Sequence, residues 1–243
     1  PGQVLVVVGA SGGAGATTLV AAVLALAAGS GLRVVGVDAH PHGPGLDLVL
    51  GIEHLPGLRW PDLADARGVD AEAVREALPA ANGAAVLSHD REDRPVPGWP
   101  LVVETVQALR ECADVVVVDL PRSRAGEIEG LGADAAVVVA AAEVIGLAGL
   151  AATAPTVARR VGETFVVLRS DDARRAPVAQ VEEALDLPVL AVLRADATAV
   201  RDVHRGLPPG SHDGPVRQVA AMCASVVLRL PGAPSAPAAE RAS

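Results

Sequence analysis

The chain has 243 residues, a formal net charge of −9, two cysteines and 51% hydrophobic residues, and all 20 of its basic residues are arginine. This length suits one sizeable α/β domain with a short tail, and the core must be built from Ala, Val and Leu because only 1% of the residues are aromatic. The acidic charge and the absence of a basic run disfavour binding of nucleic acid through a broad positive face. Cys112 and Cys223 are too few for a disulfide framework, and we expect both to be buried hydrophobes in a reducing cytoplasm.

Val-rich apolar runs alternate with helical segments along the chain. Strands are predicted at residues 4–8, 33–37, 84–87, 115–119, 135–140, 164–168 and 188–192, and helices at residues 16–28, 70–77, 101–112, 147–160, 178–185 and 216–228. Continuous apolar strands that alternate with helices predict an α/β protein whose mostly parallel central sheet is covered by helices on both faces. In such sheets, ligands bind at the carboxyl ends of the strands.

A glycine-rich turn with the sequence GASGGAGATT, residues 9–18, joins the first strand to the first helix. The general P-loop, G-x-x-x-x-G-K-[ST], holds phosphates with backbone N–H groups and a lysine, and holds Mg²⁺ with its hydroxyl. Gly15 and Thr17 fit this pattern, whereas Ala16 stands at the lysine position and Ala10 at the first glycine. The turn therefore predicts a degenerate phosphate site made of Ser11, Gly12, Gly13, Ala14, Gly15, Ala16, Thr17 and Thr18.

Two other interpretations of this turn are open. Gly9, Gly13 and Gly15 also match the G-x-x-x-G-x-G turn of short-chain dehydrogenases, in which Asp38 would suit a ribose hydroxyl. Those enzymes resemble one another in a Tyr-x-x-x-Lys catalytic pair, and this chain contains neither residue type. The third interpretation is a turn that only packs a helix on a strand. The surrounding strand and helix favour the P-loop.

Carboxylates end two of the predicted strands. Asp38 closes the run VGVD and Asp119 closes the run VVVVD. A carboxylate at that edge of a parallel sheet can hold Mg²⁺ or its water shell. We therefore predict a weak magnesium site formed by Thr17, Asp38 and Asp119. His40 and His42 lack a third ligand nearby in sequence and are expected to lie in an exposed turn.

These segments together resemble the MinD/ParA group of deviant P-loop ATPases, whose loop reads K-G-G-x-G-K-[ST] and aligns with SGGAGATT without a gap. GGAGATTL, VDAHPHGPGLDLVLG, WPDL and DVVVVDLPRS are most similar to the CpaE/TadZ-like proteins of actinobacteria, which occur near pilus and secretion genes and are sometimes called septum-site-determining. The resemblance runs from about residue 4 to 208. It implies a three-layer P-loop NTPase-like fold, ATP or ADP with Mg²⁺ as ligands, a homodimer, and pilus, secretion or cell-division proteins as partners.

Several positions depart from the pattern of that group. Ser11 replaces the lysine that reaches across the dimer, Ala16 replaces the lysine on the β- and γ-phosphates, and His40 replaces the carboxylate of the catalytic water. The Asn that contacts adenine corresponds to Leu168 or Arg169.

These departures bear on catalysis. Phosphoryl transfer depends on positive charge that neutralises the developing negative charge. Hydrolysis is therefore expected to be very slow unless an arginine substitutes, and Arg122 and Arg124, which follow the strand that ends at Asp119, are the candidates. The helix N-terminus and backbone amides still favour an anion, so weak nucleotide binding is expected without catalysis.

The resulting functional hypothesis is a degenerate nucleotide-binding protein or pseudo-ATPase that positions or regulates a pilus, secretion or septum system through dimer or partner contacts. The alternatives are an active ATPase that uses arginine in place of the P-loop lysine, and a nucleotide-free scaffold. No specific nucleic acid is expected as a partner.

The expected location is the cytoplasm, at a pole or at the periphery of the inner membrane through partners. The last helix has only Arg217 and Arg229 as basic residues, too few for a membrane anchor, so we expect it to pack in the core. The P-loop domain is predicted at residues 1–230 and a disordered tail at residues 231–243. Because the chain begins at Pro1 and not Met, we expect it to be part of a longer protein.

Overall fold

The computed structural model of the protein describes residues 1–64, 70–92, 94–172, 174 and 176–228, so the predicted tail at 231–243 and Arg229 lie outside the described residues. The strands are β1 (Gln3–Gly9), β2 (Val34–Asp38), β3 (Ala80–Ala81), β4 (Ala84–Leu87), β5 (Val115–Leu120), β6 (Ala135–Ala141), β7 (Thr164–Arg169) and β8 (Val189–Leu193). The helices are α1 (Ala16–Gly29), α2 (Leu46–Leu50), α3 (Trp60–Leu63), α4 (Ala71–Ala77), α5 (Trp99–Cys112), α6 (Val144–Ala158), α7 (Val178–Leu185), α8 (Ala197–His204) and α9 (Pro215–Leu228), and Arg122–Leu131 forms a 3₁₀ segment.

One eight-stranded sheet organises these elements, in the order β3-β4-β2-β5-β1-β6-β7-β8. Every neighbouring pair is parallel except β3 and β4, which form an antiparallel edge. The predicted α/β class with a mostly parallel, helix-covered sheet is confirmed. Because β1 lies between β5 and β6 and is parallel to both, its carboxyl end lies beside the carboxyl ends of these two strands.

Side chains of β1 alternate between the two faces of the sheet, as a strand requires. Val4 and Val6 belong to the apolar cluster that includes α5 and α6, whereas Leu5 and Val7 belong to the cluster that includes α1 and α9. All four are fully buried. The sheet is therefore the middle of three layers, and each face has its own core.

The last helix packs in the second of these cores. Val216, Val219 and Ala220 are buried, and α9 lies against α1. The prediction of a core-packed helix is confirmed for its described side chains, as is the predicted burial of Cys112 and Cys223. Within the described residues, the helices fall short of the length and hydrophobicity needed to cross a membrane.

Several elements were absent from the sequence prediction. They are β3, the short helices α2 and α3, the 3₁₀ segment, and α8. For α8 a signal was present, because Asp196 caps the helix by accepting hydrogen bonds from the amides of Thr198 and Ala199. In α5 the helix begins two residues earlier than predicted, at Trp99, with Pro100 in its first turn, where proline is well tolerated.

Helix α6 approaches the β1–α1 turn very closely. A Cβ atom on Gly149 would fall well inside van der Waals contact with the carbonyl oxygen of Ala10, in the turn itself. Only glycine allows the helix backbone to lie this near to the turn, so α6 buttresses the turn from one side.

We expect Gly149→Ala to lower the free energy of unfolding by about 1–3 kcal/mol, since the added methyl group must displace backbone atoms. Chemical denaturation measures this change. The matched control is Gly29→Ala at the end of α1, where a Cβ meets no atom within 4 Å and where alanine should be neutral or stabilising. Equal stability of the two variants would contradict the close packing.

Candidate functional site

The β1–α1 turn has a backbone shape that its glycines make possible. Gly13 and Gly15 have φ angles of +71° and +98°, in the left-handed region that other residues rarely adopt. The amide of Ala10 donates to the carbonyl of Val139 at 2.8 Å, which ties the turn to β6. No side chain of the described residues caps the N-terminus of α1. The first amides of α1 therefore lack hydrogen-bond acceptors within the helix. Together with the positive end of the helix dipole, they face the space above the turn.

That space is an open pocket of about 1020 Å³, large enough for a nucleotide. The eight residues predicted to bind nucleotide all line it. The remaining lining residues are Gly9, His40, Pro44, Val49, Arg122, Val144, Ile145, Ala148, Gly149 and Arg169.

Asp119 lies at the carboxyl end of β5 and is 1% exposed. Neither oxygen of its carboxylate has a hydrogen-bond partner among the described residues. The pKa of Asp119 is raised to about 6, because the effect of burial exceeds the lowering effect of His40. The carboxylate of Asp38 adds to the rise, and the nearby Thr17 hydroxyl opposes it. A buried carboxylate without a partner is costly unless a cation or donor completes it. Asp119 therefore fits an oxygen ligand for Mg²⁺.

Asp38 sits beside Asp119 across the β2–β5 register but is arranged differently. Its Oδ1 accepts from the amide of His40 at 2.9 Å, and its Oδ2 accepts from the amide of Leu46 and the hydroxyl of Ser88, both at 2.9 Å. These hydrogen bonds hold the segment between β2 and α2. A direct contact from Asp38 to Mg²⁺ stays a prediction.

A second buried carboxylate supports this segment and was missed by the sequence analysis. Asp47, on α2, is fully buried, and the guanidinium of Arg91 donates to both of its oxygens at 3.2 Å. The buried Arg59 places its Nε 3.7 Å from Asp47 Oδ2. A buried carboxylate is stable only with such partners. The sequence alone does not identify which of its many arginines are the partners of Asp47.

The two histidines of the turn after β2 differ in their surroundings. His42 is exposed, as predicted. The side chain of His40 is only 33% exposed, and its Nε2 lies 3.6 Å from Oδ1 of Asp119. The expectation of an exposed His40 is therefore wrong, because the turn folds back over the end of β5. Among the described residues, no group of three or more His, Cys, Asp or Glu side chains is arranged to hold a metal ion.

The two arginines that were candidates to replace the missing lysine lie in different places. Arg122 lines the pocket, and its Nη1 donates to the carbonyl of Ala10 at 3.3 Å. Arg124 instead pairs with Glu127 at 2.8 Å and lies 5.3 Å from the ring centre of Trp99, beside a separate pocket of about 350 Å³. Of these two arginines, Arg122 alone lines the larger pocket.

The position of the adenine-contacting Asn was left open between two residues of β7. Leu168 is fully buried in the sheet. Arg169 is exposed at the strand's carboxyl end and lines the pocket. The side chain at this edge of the site is therefore a cation, which can donate hydrogen bonds but cannot accept them.

Sequence comparison matches no protein-family model to the chain but does find relatives. Two uncharacterized proteins of Mycobacterium tuberculosis, from strains CDC 1551 / Oshkosh and H37Rv, are each 36% identical over 208 residues, which is 84% of this chain and 58% of theirs. The chain thus matches little more than half the length of these relatives.

Solved structures show the fold. The MinC:MinD cell division protein complex of Aquifex aeolicus superposes with a TM-score of 0.77 at 21% identity, covering 94% of this chain and 96% of that one. The septum site-determining protein MinD of Pyrococcus horikoshii, complexed with Mg-ADP, gives 0.74 at 20% identity, covering 96% and 98%. A ParA family ATPase of Chlorobium tepidum gives 0.70 at 15% identity, covering 91% and 97%. The chain has the MinD/ParA P-loop fold, as its sequence predicts.

The raised pKa of Asp119 predicts a pH-dependent stability. Its folded pKa of about 6 lies above the ordinary value of 3.8, so the native state binds this proton more tightly than the unfolded state does. The contribution of Asp119 to the free energy of unfolding therefore falls as pH rises from about 4 to about 6. We expect Asp119→Asn to remove this loss. The stability of the variant relative to the wild type should then increase over that pH range, by up to roughly 3 kcal/mol, and stay level above it. Denaturant titrations at several pH values without Mg²⁺ measure the difference. A difference that does not change with pH would contradict the raised pKa of this buried carboxyl group.

Proposed function

We propose that the chain is a MinD/ParA-type nucleotide-binding protein that binds ATP or ADP weakly with Mg²⁺, hydrolyses it very slowly, and acts through dimer or partner contacts. One observation carries the proposal. An uncapped helix N-terminus and a turn with two left-handed glycines open into a pocket of about 1020 Å³, next to the buried carboxylate of Asp119, which has no hydrogen-bond partner among the described residues.

The loop residues have distinct parts in this proposal. The backbone amides of residues 13 and 15–18 hold the phosphates, because they are unpaired donors at the positive end of α1, whereas the amide of Ala14 donates to the carbonyl of Ser11 at 3.3 Å. The Thr17 hydroxyl and Asp119 hold Mg²⁺, which would offset negative charge on the phosphates. Ala16 supplies no charge. The loop can therefore bind a polyphosphate in its ground state but gives little help to the developing charge of phosphoryl transfer.

The same site suggests how nucleotide would be sensed. The segment after Asp38 and the 3₁₀ segment after Asp119 both begin at the pocket edge, so an occupied site would order them, as γ-phosphate does in other switch proteins. Val144 and Ile145 are 84% and 78% exposed at the rim of the same pocket. Such an apolar pair beside the nucleotide suits contact with a second copy of the chain or with a partner.

The cellular role rests on the sequence resemblance to CpaE/TadZ-like proteins. We propose that the chain positions or regulates a pilus, secretion or septum system, with homodimers and proteins of that system as its contacts. We place it in the cytoplasm, at a pole or at the membrane periphery through its partners. The P-loop domain would occupy residues 1–230.

Titration calorimetry with ATP and with ADP, with and without Mg²⁺, tests the proposed site. We expect binding that strengthens with Mg²⁺ in the wild type and loses that dependence in Asp119→Asn, because the variant lacks the anionic ligand. Single-turnover hydrolysis should be barely measurable. Rapid turnover would favour the active ATPase that uses arginine, and no binding at millimolar nucleotide would favour the scaffold.

Restoring the lysine provides a second test. We expect Ala16→Lys to tighten ADP binding about tenfold or more, since a charge-assisted hydrogen bond to a phosphate contributes about 1.5–3 kcal/mol. The matched control is Ala73→Lys on the exposed face of α4, which adds the same charge away from the pocket. Equal affinities in the two variants would show that the loop does not hold the phosphates.

A further inference from the structure

The nucleotide pocket carries an unusual local charge. The chain has nine more acidic than basic residues. Yet the described residues that line the pocket include two arginines, Arg122 and Arg169, and no Asp or Glu. The charge of this lining is therefore positive although the charge of the whole chain is negative. Such a local positive charge attracts an anion.

The two arginines lie on opposite sides of the glycine turn. Arg122 follows β5, which neighbours β1 on one side, and Arg169 ends β7, which lies two strands from β1 on the other side. Arg122 donates to the carbonyl of Ala10 at the start of the turn. The Cδ of Arg169 lies 4.0 Å from where a Cβ of Gly15 would be, at the start of α1. The arginines therefore approach both ends of the turn from outside it.

Neither guanidinium is neutralised by a carboxylate of the described residues, although many other arginines are. Arg122 and Arg169 form no ion pair there, and both are exposed. Arginines with a carboxylate partner are Arg33, Arg59, Arg75, Arg91, Arg94, Arg110, Arg124 and Arg217. The charge of the two pocket arginines is thus available to a ligand.

We propose that Arg122 and Arg169 form a two-sided clamp on the di- or triphosphate of the nucleotide and supply the positive charge that Ser11 and Ala16 do not. This inference rests on the proposed nucleotide site and assigns its charged ligands. Guanidinium groups suit the role because each can donate two parallel hydrogen bonds to phosphate oxygens. The loop amides then hold the phosphates from below, while the arginines hold them from the two sides.

The clamp differs from a P-loop lysine in where its charge comes from. A lysine at position 16 would rise from the loop itself, whereas these arginines come from the ends of β5 and β7. Binding should therefore depend on the residues at the carboxyl ends of β5 and β7 and not on the loop alone.

Calorimetric titration of the full chain with ADP, and separately with inorganic tripolyphosphate, tests the clamp in Arg122→Ala, Arg169→Ala and the double variant. Both probes are used without Mg²⁺, so the readout is affinity and not turnover. We expect each single variant to bind ADP about ten- to a hundredfold more weakly, because each loses charge-assisted hydrogen bonds. Arg122→Lys and Arg169→Lys should recover part of the loss.

The matched control is Arg205→Ala, which removes an exposed arginine that forms no ion pair with the described residues and lies outside the pocket lining. It should bind both probes as the wild type does. Loss of affinity for both probes in the clamp variants identifies the polyphosphate as the bound group. Loss for ADP alone, with tripolyphosphate unchanged, would move the contact to the nucleoside and overturn the clamp.

Two further outcomes are distinct. If the wild type binds ADP and the double variant binds it within about twofold, the clamp is wrong and the proposed nucleotide site stands. If the wild type binds neither probe, whether Mg²⁺ is absent or added, the nucleotide site itself is wrong and the clamp falls with it.

Discussion

Backbone amides offset only part of the negative charge of a phosphate, and the proposed phosphate site of this chain has no lysine to supply the rest. The turn between β1 and α1 presents its unpaired amides to an open pocket, held in shape by two left-handed glycines and by α6 against Ala10. The residual charge must come from side chains outside the turn. Arg122 and Arg169 stand at the two flanks, and the pocket lining among the described residues contains no carboxylate to oppose them. This arrangement supports the proposal that the site binds phosphate but transfers it very slowly.

The buried carboxylates at the same edge of the sheet differ in their hydrogen bonding, and this difference suggests different roles. Asp38 and Asp47 are completed by amides, the hydroxyl of Ser88 and the guanidinium of Arg91, and they hold the segment between β2 and α2. Asp119 has no such hydrogen-bond partner, and burial raises its pKa to about 6. A protein keeps an uncompensated buried carboxylate at a cost in stability, which is typical of a functional site. The contrast supports the proposal that Asp119 holds a cation, while Asp38 and Asp47 stabilise the surrounding segment.

The sheet and the glycine turn could be predicted because their signals are local. Apolar runs mark strands, and a glycine cluster between strand and helix marks the turn. The network around Asp47 could not, because the partners lie at residues 59 and 91 and only the folded chain brings them together. Whether Leu168 or Arg169 lies at the position of the adenine-contacting Asn could not be predicted, because it depends on the side of β7 from which each side chain extends. Likewise, Arg122 and Arg124 are two residues apart in sequence, but the 3₁₀ segment sends one to the nucleotide pocket and the other toward Trp99. His40 was misplaced because the fold of the turn over β5 has no local signature.

The most direct test of this account is an experimental structure of the chain with ADP and Mg²⁺ bound. We expect the diphosphate over the amides of residues 13 and 15–18, Arg122 and Arg169 in contact with its oxygens from the two sides, and Mg²⁺ beside Thr17 and Asp119. Nucleotide bound elsewhere, or a diphosphate in the turn with both arginines directed away and Asp119 still without a partner, would contradict it.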